Sequence, residues 1–92
     1  GVRATVVQGD GFAAVEGKFD AIVTNPPIRA GKAVIYGLFA QARDHLKPGG
    51  ALYVVIRKQQ GAPSALKYLK EIYARAETVD RGSGFHVLRA QL

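Results

Sequence analysis

The stretch Phe19-Asp20-Ala21-Ile22-Val23-Thr24-Asn25-Pro26-Pro27-Ile28-Arg29-Ala30-Gly31-Lys32 changes character in its middle. Its opening, FDAIVTN, is almost continuously apolar, the composition of a strand buried on both faces. Two prolines follow. Neither can donate a backbone hydrogen bond, and each restricts the residue before it to extended conformations. Asn25 and Pro26 are therefore held extended and cannot start a helix, although a helical pattern begins almost at once. A strand stopped by a rigid turn and followed by a helix is the recurring unit of an α/β protein.

The rest of the chain repeats that unit. Upstream, ATVVQ (4–8) reads as a short strand ending at GDGF (9–12), with a short helix or loop over Phe12 to Gly17. Downstream, Val34, Ile35, Leu38, Phe39, Ala42 and Leu46 recur at spacings of three and four and predict a helix over 33–46. Lys47-Pro48-Gly49-Gly50 supplies a stop signal for that helix, and ALYVVI (51–56) is the clearest strand. APSALKYLKEIYARA (62–76) predicts a second helix, with Leu66, Leu69, Ile72 and Tyr73 on one side and Glu71 and Arg75 spaced for an ion pair. AETVDR (76–81) and FHVLRAQL (85–92) flank Gly82-Ser83-Gly84 and read as an antiparallel pair. The order β-β-α-β-α-β-β predicts a parallel sheet covered by helices on both faces, a three-layer α/β fold. Such sheets bind ligands at the carboxyl ends of their strands, where both GDGF and TNPPI fall.

Ninety-two residues form one small domain, 1–92, of a size that buries roughly 60–65% of its unfolded surface. No apolar run approaches the roughly 20 residues that span a bilayer, and the first residues do not resemble a signal peptide. The chain has no cysteine, which excludes a disulfide framework and a thiolate metal site. His45 and His86 are too few and too scattered to suggest a metal, so none is expected. This composition fits a cytoplasmic protein. The net charge of +6 favours an anionic partner such as nucleic acid. The basic residues are dispersed, however, and a dispersed excess is also what a solvated surface carries.

Asn25-Pro26-Pro27 can be read as a chemical device. The Asn25 side-chain oxygen and the Pro26 carbonyl are acceptors on a rigid turn, and two convergent acceptors suit an amino group with two hydrogens to donate. An exocyclic amine is a poor nucleophile because its lone pair is delocalised into the ring. Gripping both hydrogens favours a pyramidal nitrogen and frees the lone pair, a stabilisation specific to the transition state. The plainer reading is a turn, which Asn-Pro commonly starts. Asp10, between Gly9 and Gly11, can accept a hydrogen bond from an adenine amine or a ribose hydroxyl, or can be an ordinary β-turn cap.

Together, GDGF, then FDAIVTNPPIRAGK, then LKPGGALYVVIRKQQGAPS resemble the second half of a class I S-adenosylmethionine-dependent methyltransferase. The chain is most similar to the small-domain (MTS) group, which includes ribosomal RNA guanine methyltransferases acting on an exocyclic amine. The resemblance covers the chain from Thr5 onward. It implies a Rossmann-like methyltransferase sheet, S-adenosyl-L-methionine as cofactor, and ribosomal RNA or a ribosomal subunit as partner. It further implies that Asp10, beside Gly9, meets the cofactor adenine, with Phe12 packing on that ring. Asn25, Pro26 and Pro27 match the element that holds the amine beside the methyl sulfonium, which sets Asn25 against the cofactor too. Ile28, Arg29, Gly31 and Lys32 fall on the substrate side, where the basic pair can meet RNA phosphate. Lys58 to Ala62 (KQQGA) resembles a loop over the same strand ends.

Two departures from the family pattern qualify these expectations. Where the family often has Tyr or Phe to stack on the base, this chain has Ile28, which forgoes a stacking term on the order of 1–3 kcal/mol. No glycine-rich G-x-G-x-G loop precedes GDGF, so the chain reads as the carboxyl-terminal portion of a methyltransferase domain. In the class I arrangement two further strands stand between Val7 and Val23. The expectations are then an exposed edge on the AIVTN strand and a chain inactive alone. An oligomer, a rearranged first strand or a partner fragment would complete it. Two rival functions fit the same residues: methylation of a protein glutamine, whose amide also presents an NH2 group, and non-catalytic RNA binding.

Overall fold

In the computed structural model, residues 2–8, 12, 15–26 and 28–92 are described, Ile28 and Gln60 by backbone alone. The elements are β1 (Ala4–Val7), β2 (Phe19–Thr24), α1 (Lys32–Ala42), β3 (Leu46–Arg57), α2 (Ala62–Ile72), β4 (Arg75–Arg81) and β5 (Phe85–Gln91). Short 3-10 turns at Ile28–Ala30, Arg43–His45 and Lys58–Gln60 join them. The five strands form one sheet in the order β1-β2-β3-β5-β4, with β1, β2 and β3 parallel and β5 and β4 antiparallel. The order of elements is the one the hydrophobic periodicity predicts.

Register explains which side chains are buried. Val7, Ile22, Leu52, Val54, Ile56, Leu88 and Ala90 share one face of the sheet and are all buried. Against them pack Ile35, Phe39 and Ala42 of α1 and Ala62, Ala65 and Leu69 of α2. The Tyr73 hydroxyl donates 2.7 Å to the Phe39 carbonyl and ties the end of α2 to α1. Both helices therefore lie on the same face. Helices on both faces were expected, but among the described residues the opposite face has no helix. It carries Val23, Tyr53, Val55 and Val87 half-buried, with Val6 65% exposed.

The two strands expected between Val7 and Val23 are not there. Val6 lies opposite Val23, and Val7 opposite Thr24. β1 pairs directly with β2 because an apolar strand with an open edge leaves a row of backbone groups to satisfy, and β1 satisfies them. The predicted open edge on β2 is thus closed, by the rearranged first strand that was one of the expected remedies.

Three boundaries also move. Helix α1 gives way at Ala42 to a 3-10 turn, and Lys47-Pro48-Gly49-Gly50 lies inside β3 instead of ending the helix. The register shift between Phe19 and Ala21 absorbs that insertion. Helix α2 stops at Ile72 because Tyr73 is extended and Arg75 and Ala76 already pair with Gln91 and Ala90. Arg75 consequently belongs to β4, and the helical Glu71–Arg75 pair does not form.

Candidate active site

The carboxyl ends of β2 and β3 carry the candidate site. β2 ends at Thr24; Asn25 follows it exposed, and Pro26 is buried. A buried proline beside an exposed asparagine anchors the backbone and leaves the amide side chain to solvent. Pro27 lies outside the described residues, and so do Gly9 and Asp10. The end of β1 is brought level with the end of β2, with Gln8 exposed directly after Val7.

Arg29, Gly31 and Lys32 come next and are all exposed. The backbone of Ile28 belongs to the 3-10 turn. Gly31 precedes α1 with φ 92°, a region that L side chains rarely adopt, and its carbonyl accepts from Ile35 N–H at 3.2 Å. Gly31, with no side chain, cannot cap this helix, and no acidic residue lies in its first turn. The positive end of the helix dipole, Arg29 and Lys32 therefore all favour an anion at this edge. Gly61, at φ 97°, starts α2 in the same uncapped way after Lys58–Gln60, so the KQQGA segment does lie at the end of β3. Lys58 N–H donates 3.0 Å to the Gly84 carbonyl of the β4–β5 turn.

The structure does not bring Phe12 to this edge. Its ring stacks on His45, with centroids 4.8 Å apart and planes 7° from parallel. His45 Nδ1 lies 3.1 Å from the Gly17 carbonyl. Gly17 lies two residues before β2 and His45 directly before β3, so this stack sits at the amino ends of the strands. A strand as long as β2 separates the two ends by roughly 15–20 Å.

One residue at the site was not singled out from sequence. Thr24 is 3% exposed, and its hydroxyl has no hydrogen-bond partner among the described residues. The available signal was a polar residue closing the apolar run Ala21-Ile22-Val23 beside Asn25. Among the described residues no group of three or more His, Asp or Glu side chains is placed to hold a metal. No described helix is long and apolar enough to cross a membrane.

Residues 1–89 match the family model of the methyltransferase small domain. The chain belongs to that family. It is 41% identical over 88 residues to the uncharacterized protein YbxB of Bacillus subtilis, covering 94% of this chain and 44% of that protein. It is 28% identical over 96 residues to ribosomal RNA small subunit methyltransferase C of Alcanivorax borkumensis, covering all of this chain and 29% of the relative. Among solved structures it resembles the Thermus thermophilus 16S rRNA N2 G1207 methyltransferase RsmC, solved with AdoMet and guanosine. The TM-score is 0.70 at 25% identity, covering 87% of this chain and 22% of that one. The ribosomal protein L11 methylase of Lactobacillus delbrueckii is also similar, with a TM-score of 0.61 at 27% identity, covering 85% and 38%. The small-domain chain thus spans less than half the length of each of these proteins, and its α/β sheet is of the class I methyltransferase type.

Proposed function

We propose that this small-domain chain serves methyl transfer from S-adenosyl-L-methionine to an exocyclic amine of ribosomal RNA, guanine being the favoured base. The observation that carries the reading is Asn25-Pro26 at the carboxyl end of β2, with the amide exposed and the proline buried. The cofactor, when bound, supplies an electrophilic methyl group. The residues present fit the amine side of such a reaction. Asn25 Oδ1 and the Pro26 carbonyl accept the two amine hydrogens, which localises the nitrogen lone pair for attack. The proton in excess after transfer passes to water, which reaches Asn25. Asp10 would take the adenine amine, while Phe12, stacked on His45, is left out of the cofactor site. Arg29 and Lys32 take RNA phosphate.

The similarity to a ribosomal protein methylase supports a second reading, in which the NH2 group belongs to a protein side chain. Assays with labelled cofactor on ribosomal RNA and on ribosomal proteins separate the two. Replacing Asn25 with Ala in the active enzyme is expected to lower kcat about 100-fold, as when one preorganised polar group is removed from a transition state. Cofactor affinity should stay within a few-fold, since Asn25 serves mainly the amine. A variant retaining near-normal turnover would remove Asn25 from the mechanism.

A further inference from the structure

The first half of α1 and the length of α2 from Ser64 to Glu71 border a cleft of about 210 Å³ lined by Lys32, Tyr36, Ser64, Lys67, Tyr68 and Glu71. Its two aromatic rings are fixed. Tyr36 and Tyr68 stack with centroids 4.2 Å apart and planes 8° from parallel, and the fully buried Phe39 stacks behind Tyr36 at 6.1 Å. On this floor stand two exposed ammonium groups, Lys32 and Lys67, and the exposed hydroxyl of Ser64. The ion pairs among the described residues are Lys47–Asp20 and Arg89–Glu77, so no described carboxylate lies within bonding distance of either cleft lysine. Glu71 is the single acidic group of the lining and leaves the cleft net positive.

Position and size narrow the ligand. Lys32 stands seven residues beyond Asn25, and α2 begins just past the end of β3, so Lys32 and Ser64 place one end of the cleft in the helix turns next to the candidate active site. Its volume falls below the roughly 300–1,000 Å³ of sites that enclose a whole small molecule. Hydroxyl and ammonium donors beside a small cavity suit a phosphate group, and phosphate contacts fix the register of a strand without reading its sequence. We propose that this cleft docks a backbone phosphodiester of the unpaired RNA strand flanking the target nucleotide. The inference rests on the RNA reading given above and extends the substrate surface from α1 onto α2.

The test measures affinity for a short fluorescein-labelled single-stranded RNA containing guanosine across a range of salt concentrations. It compares the wild type with Lys32→Ala, Lys67→Ala and Lys70→Ala, the last an exposed lysine of α2 outside the cleft. Each cleft variant is expected to reduce the slope of log affinity against log salt by about 0.7, one counterion-releasing contact on a single strand. Lys70→Ala should keep the wild-type slope. RNA binding in which Lys67→Ala keeps the wild-type slope overturns the cleft inference, and leaves the RNA reading standing as long as Lys32→Ala lowers it. A wild type that does not bind the RNA at all overturns both.

Discussion

Asp20 shows how much one exposed carboxylate can organise. Its Oδ2 accepts from Arg3 N–H at 2.7 Å and lies 3.4 Å from the Lys47 ammonium, joining the residue before β1 to the start of β3 across β2. The Arg3 backbone hydrogen bond is the main cause that holds its carboxyl below the ordinary value of 3.8, with Lys47 adding to it. A depressed pKa means that this contribution to stability is present above about pH 4 and fades as pH falls through the folded value. Urea midpoints measured from neutral to strongly acidic pH should therefore drop on the acid side. Asp20→Asn is expected to start lower at neutral pH and to show a shallower acid decline; a decline as steep as the wild type's would place the linkage elsewhere. None of this could be read from sequence, because the partners lie 17 and 27 residues away. Asn25 was legible for the opposite reason: two prolines constrain it locally, whatever the rest of the chain does.

At the scale of elements, the Lys47–Gly50 insertion in β3 turns a helix stop into a strand feature. A Cβ placed on Gly50 would come 2.9 Å from the Lys47 carbonyl and 3.1 Å from those of Asp20 and Phe19, all backbone atoms that cannot swing aside. Gly50→Ala should thus force β2 and β3 apart and cost about 1–3 kcal/mol, the range for overpacking. Thermal denaturation reads this directly, as a midpoint roughly 4–8 °C lower per kcal/mol in a domain of this size. An unchanged midpoint would mean that the strands yield freely there. The predicted helix over 33–46 ran too far for a related reason. Leu46 keeps the apolar spacing because it is buried in the same core as Phe39, but it reaches that core from β3. Periodicity records burial, and burial does not reveal which element delivers the side chain.

For the molecule as a whole, the strand–helix order was legible and the strand neighbours were not. Apolar runs mark β1 and β2 without saying that Val6 meets Val23, since pairing is decided by which edges are left open. Likewise the opposite face of the sheet, with Val23, Tyr53 and Val55 half-buried, carries no sequence mark separating it from the face that the helices cover. The unequal ladders have a dynamic consequence. β3 and β5 are matched over seven positions in the middle of the sheet, with Val54 opposite Leu88 and both fully buried. β1 is matched over four at its margin, and Val7 is its one buried side chain. Opening the central ladder must dissolve the core, whereas β1 can detach and leave that core intact. Native-state deuterium uptake should accordingly be slowest at the amides of Val54 and Leu88. Across β1 it should be orders of magnitude faster, following a local opening that urea scarcely accelerates. Uniform protection over all five strands would instead describe a single cooperative unit. On the expected pattern the margin beside Asn25 opens and recloses many times for each global unfolding, so the wall of the candidate site formed by β1 is a hinged one.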